Sequence, residues 1–93
     1  MANKKKNYWY VLVMTDNGPV FVTSVEYSSK TAHWNKLEKP LEMDMNRAKD
    51  LTFGLNLNFH AAFAVCQPFE IDRQPYKYDR GQFEWKENEK EEE

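Results

Sequence analysis

The chain has a single cysteine, Cys66, so no disulfide can form within it and the fold must be stable without a covalent staple. Its three glycines, Gly18, Gly54 and Gly81, lie far apart, which excludes a glycine-rich loop cradling phosphate. Its two histidines, His33 and His60, have neither the i, i+4 spacing nor the cysteine cluster of a zinc site. No apolar stretch approaches the roughly 20 residues needed to cross a bilayer. Val11–Met14, behind Lys4–Lys6, is too short for a signal-peptide core and is interrupted by Thr15-Asp16-Asn17-Gly18. A cytoplasmic location is the expectation.

Charge of one sign is also missing. The net charge is −2, with Lys4, Lys5 and Lys6 at one end and six Glu against two Lys in the last ten residues. The body between them has no basic field of the kind that dominates nucleic-acid affinity. The basic start and the acidic finish both read as solubilising ends.

Aromatic residues are abundant: 15% of the chain, with three Trp, five Tyr and six Phe. That much apolar area can offset the entropy of ordering, so a folded domain is expected. Tyr8 to Met14 is a continuous aromatic and β-branched run, suited to a strand buried on both faces. Asp16-Asn17-Gly18 is a turn signal, and Pro19 opens a second strand through Val20–Val25. Ser28-Ser29-Lys30 reads as a turn and Thr31–Asn35 as a short third strand. Glu38–Met43, containing Pro40, is a connector.

A helix is expected from Asp44, whose carboxylate can accept a first-turn backbone N–H. Met45, Ala48, Leu51, Thr52 and Leu55 recur on one face. Asn56 or Asn58 is expected to end the helix in the left-handed conformation. In the next strand, Ala61–Cys66, one face is uniformly small (Ala62, Ala64, Cys66), and Gly54 is expected to sit close against it. Tyr76–Tyr78 and Phe83–Trp85 alternate around Asp79-Arg80-Gly81-Gln82, forming either a hairpin or an extended arm.

The expected class is therefore α+β: a small antiparallel sheet of three to five strands with one helix on one face. The order is β-β-(β)-α-β plus a C-terminal hairpin or arm. Residues 1–6 form a basic end, 7–85 a single domain and 86–93 an acidic tail.

Few residues suggest catalysis. A Cys–His pair needs hydrogen-bond reach and an orienting third group, and Cys66 reads as a small buried residue beside alanines. Glu38, Glu42 and Asp44 read as a solvated connector. We expect no enzyme activity, no metal and no cofactor.

The aromatics are the candidate site: Tyr10, Trp34, Tyr76, Tyr78, Phe83 and Trp85. Three roles are open to them: packing in the core, anchoring a protein interface or stacking single-stranded bases. An edge strand such as Val20–Val25 also offers a route to a homodimer.

The succession Tyr8–Met14, the Asn-Gly turn, Val20–Thr23, Ala32–Asn35, Glu38–Met43, the Ala48–Leu55 helix and a final Ala-and-Val strand resembles small proteins encoded in phages, prophages and mobile elements of Gram-positive bacteria. The resemblance covers about two-thirds of the chain and carries no site residue. It implies a protein that acts by binding in a bacterial host cell, such as an inhibitor of a defence nuclease. Single-strand nucleic-acid binding and a structural or accessory phage role are the alternatives.

Overall fold

The computed structural model describes residues 8–66 and 79–86. The chain is α+β: the described residues form one helix packed against antiparallel strands. The strands are β1 (Tyr10–Thr15), β2 (Gly18–Phe21), β3 (Ser24–Glu26), β4 (Thr31–Asn35), β5 (Ala61–Val65) and β6 (Arg80–Glu84), and the helix α1 is Met45–Leu57. They form two three-stranded sheets, ordered β2-β1-β5 and β3-β4-β6.

β1 is the central strand of the first sheet, as its two-faced apolar run requires. Val11 and Val13 point into the main core, while Tyr10 and Leu12 pack with Phe21 on the opposite face. The β1–β2 hairpin closes at the expected turn. Gly18 takes a φ of 119°, and the Thr15 hydroxyl donates to its carbonyl at 2.7 Å.

The second strand does not run unbroken through Val20–Val25. It breaks at Val22–Thr23, where the chain leaves one sheet for the other: Val22 N–H bonds to Val11 and Thr23 N–H to His33. Among the described strands each half lies at the edge of its own sheet. At the junction the Val22 carbonyl accepts from Leu41 N–H at 2.9 Å. The connector thus contributes to the fold, and Met43 exchanges two backbone bonds with Trp9 and is buried.

In the second sheet residues alternate between two faces. Val25, Ala32, Trp34 and Phe83 face the core, while Ser24, Glu26, Thr31, His33, Gln82 and Glu84 occupy the other face, where Thr31 is nevertheless buried. Arg80–Gln82 lie inside β6, paired with β4, and so do not make the hairpin turn expected at Asp79–Gln82. Trp34 lies opposite Gly81, where a Cβ would overlap the indole Nε1 and stand 3.0 Å from Cε2. Glycine here makes room for the tryptophan.

α1 starts as expected. Asp44 Oδ1 accepts from Arg47 N–H at 2.9 Å. The buried stripe is Ala48, Leu51, Gly54 and Leu55, whereas Met45 is exposed and the Thr52 hydroxyl bonds back to the Ala48 carbonyl. Gly54 does not serve the approach to β5. A Cβ on it would lie 2.8 Å from both the Lys86 carbonyl oxygen and Trp85 Cδ1, and its own carbonyl accepts from Lys86 N–H. It is the stretch after β6 that needs the missing side chain. The small face of β5 still meets the core through Ala62 and Ala64.

Cys66 lies just beyond β5 and is exposed, not buried mid-strand, because the strand ends at Val65. No helix among the described residues is long and apolar enough to cross a membrane.

Candidate functional site

The six candidate aromatics do not gather into one surface. Trp34, Phe83 and Tyr10 are each only 8% exposed. The first two belong to the main core, and Tyr10 sits on the far face of the first sheet, edge-on to Phe21 at 6.4 Å. Their alternation along β1, β4 and β6 turns them inward, and in a domain this small that area is needed for stability. Tyr76 and Tyr78 lie outside the described residues. Trp85 remains, half-buried at the end of the second sheet.

Around Trp85 the structure assembles a site that the sequence does not announce. Trp85 N–H bonds to the Lys30 carbonyl and Lys86 N–H to the Gly54 carbonyl, tying this stretch to the turn after β3 and to the helix. The indole meets the Tyr27 ring edge-to-face at 5.9 Å. On Tyr27, in turn, rests the Arg47 guanidinium, 5.3 Å from the ring centroid, with Nη1 donating to the phenol oxygen at 3.1 Å. Two contacts from one guanidinium to one ring hold it in place.

These residues border a groove of about 550 Å³, completed by Asp50, Phe53 and Lys86 over Leu51. A second groove of about 490 Å³ shares Tyr27 and Arg47 and continues past Leu41 and Met43 to Glu42 and Asp44. Among the described residues no carboxylate forms an ion pair with Arg47 or Lys86. The ion pairs there are Lys36–Asp79 at 3.0 Å and His33–Glu26 at 3.6 Å. Among the described residues, those bordering the first groove are two cationic (Arg47, Lys86), one acidic (Asp50) and three aromatic (Tyr27, Phe53, Trp85), over Leu51.

The far end of α1 has a second unusual feature. The helix closes with His60 N–H bonding to Leu55 O and Phe59 N–H to Asn56 O, the bond pattern of a Schellman motif. Asn58 caps the helix with φ −101°, so neither expected asparagine is left-handed. That conformation falls on Phe59, at φ 68°. Glycine usually occupies this position, because a Cβ there crowds the backbone at a cost of roughly 1–2 kcal/mol. Phe59 is 92% exposed, so among the described residues its side chain gains almost no burial to offset that cost. Phe53 and Leu57, one turn apart on the helix, and Phe63 on β5 are exposed as well.

Among the described residues no group of three His, Cys, Asp or Glu side chains could hold a metal. His60 packs edge-on against Phe83 at 5.3 Å, and His33 faces Glu26. Tyr10 has its phenol pKa raised above 10.0, chiefly by burial and then by the charge of Glu42, to which its hydroxyl donates at 3.3 Å.

Sequence reasoning passed over Tyr27, Arg47, Phe53 and Phe59. For Phe59 the sequence offers only an indirect signal, the lack of a glycine after the helical stripe, and the asparagines are the expected left-handed residues instead. Tyr27 and Arg47 are 20 positions apart, and nothing local links them. No family model matches the chain, and no curated protein or solved structure is found similar to it.

Proposed function

We propose that this chain is a non-enzymatic protein-binding module that works by presenting exposed aromatic side chains on a small rigid scaffold. Phe59 is the observation that carries this: a bulky residue held left-handed and 92% exposed. A local rule broken with no compensating burial among the described residues is expected at a functional position. Burying a phenylalanine side chain against a partner contributes about 1.5–3 kcal/mol, enough to offset the backbone cost.

The resemblance to phage and mobile-element proteins supports a partner in the cytoplasm of a bacterial host. Its most specific form is inhibition of a defence nuclease.

Phe59→Gly separates function from stability. The variant is expected to be more stable than wild type by about 1 kcal/mol, because glycine takes the left-handed conformation freely. It is also expected to retain far less of any protein that immobilised wild type captures from a host lysate. Greater stability with undiminished capture would remove Phe59 from the interface, and failure of wild type to retain any protein would remove the proposal.

A further inference from the structure

The groove beside Trp85 carries a charge pattern that restricts what can lie in it. We infer that it binds an acidic peptide segment, with a carboxylate meeting Arg47 and Lys86 and an adjacent apolar side chain lying against Phe53, Tyr27 and Trp85. This rests on the protein-binding proposal but on different residues from Phe59.

The chemistry follows from the geometry already described. A guanidinium has five N–H donors in a planar fork, suited to gripping a carboxylate with two parallel bonds. Tyr27 engages one nitrogen of Arg47, at 3.1 Å, and holds the group in place beneath it, so little side-chain freedom is left to lose on binding. Lys86 also borders this groove and is the second cation that the inferred carboxylate would meet. Tyr, Trp and Arg are the residue types that most often carry interface energy, and here all three are in mutual contact or one ring apart.

Other occupants fit less well. A single nucleic-acid strand needs cations continuing along its backbone. Here Asp50 stands in the same groove, and its continuation leads to Glu42 and Asp44. Successive phosphates would therefore pass from two cations to carboxylates. A basic peptide would bring its charge towards Arg47, which already covers Tyr27.

The test is a titration of the isotope-labelled full chain, followed by amide and indole resonances. The probe is a short end-blocked peptide with glutamate between phenylalanine and leucine. The comparison probes are the same peptide with lysine for glutamate and a short oligothymidylate.

The glutamate peptide is expected to shift the Trp85 indole N–H and the amides of Tyr27, Arg47 and Phe53, saturably. Arg47→Lys should weaken it about tenfold by losing the planar fork, and Lys86→Gln by a smaller factor, with both spectra otherwise folded. The inference is overturned by equal binding of the lysine peptide, by tighter binding of oligothymidylate, by shifts outside the groove, or by an Arg47→Lys variant that binds unchanged. Absence of any shift overturns it too. If that happens while Phe59→Gly still abolishes partner capture, the wider proposal survives without this groove.

Discussion

At the scale of single residues, close approach and burial matter more than residue class. Gly81 looks like a turn glycine but lies within a strand, and its role is to leave room for the Trp34 indole. Gly81→Ala is expected to destabilise the domain by about 1–3 kcal/mol, the usual cost of overpacking a filled core, measurable as a lower midpoint in urea. Tyr10 shows how burial sets a pH limit. Its raised folded pKa means the native state holds the phenol proton more tightly than the unfolded chain. Its contribution to stability is therefore complete below pH 10 and is lost as pH rises from there through the folded value. Thermal melts of wild type and Tyr10→Phe should diverge in pH dependence only on that alkaline side; parallel curves would show that the Tyr10 phenol is not responsible.

At the scale of elements, α1 does more than cover the sheet. Among the described strands β5 lies at the edge of its sheet, and Asn56 on α1 stands beside it much as a further strand would. Its Oδ1 accepts from Ala62 N–H at 2.9 Å and its Nδ2 donates to the Ala62 carbonyl at 3.1 Å. This closes part of the edge to pairing with other chains. Asn56→Ala leaves those backbone groups without the amide, a cost of about 1–3 kcal/mol that exceeds alanine's advantage in helix propensity of roughly 0.5 kcal/mol. Hydrogen exchange at the Ala62 amide should quicken more than at amides deep in β1; uniform quickening would mean that the loss acts on the whole fold and not on this edge.

At the scale of the whole molecule, the two sheets are separate in their hydrogen bonding but share one core. Val11, Val13 and Ala62 from the first sheet, Ala32, Trp34 and Phe83 from the second, and Ala48, Leu51 and Leu55 from the helix form a single buried cluster. Leu55 is fully buried within it. Leu55→Ala should cost about 2–5 kcal/mol, a large part of the roughly 5–15 kcal/mol that holds such domains. Because the core is shared, far-ultraviolet circular dichroism and tryptophan fluorescence should still report one coincident transition. Separate transitions would mean that the sheets are independent units.

Where local pattern and physical cause coincide, the sequence by itself was enough. The apolar run at Tyr10–Val13, the turn at Gly18, the cap at Asp44 and the small face of β5 all follow from nearest-neighbour sterics and from the periods of strand and helix. Together they determined an α+β chain with a helix from Met45. Only the tertiary structure decided the rest. The split of Val20–Val25 between two sheets depends on partners in β1 and β4. Trp34, Phe83 and Tyr10 became core rather than surface because β4, β6 and β1 turn them towards neighbours distant in sequence. Tyr27, Arg47 and Trp85 met because Gly54 lets the stretch after β6 lie against the helix. Contacts between residues far apart in the chain have no local pattern, so a surface made of them is visible only once the chain is folded.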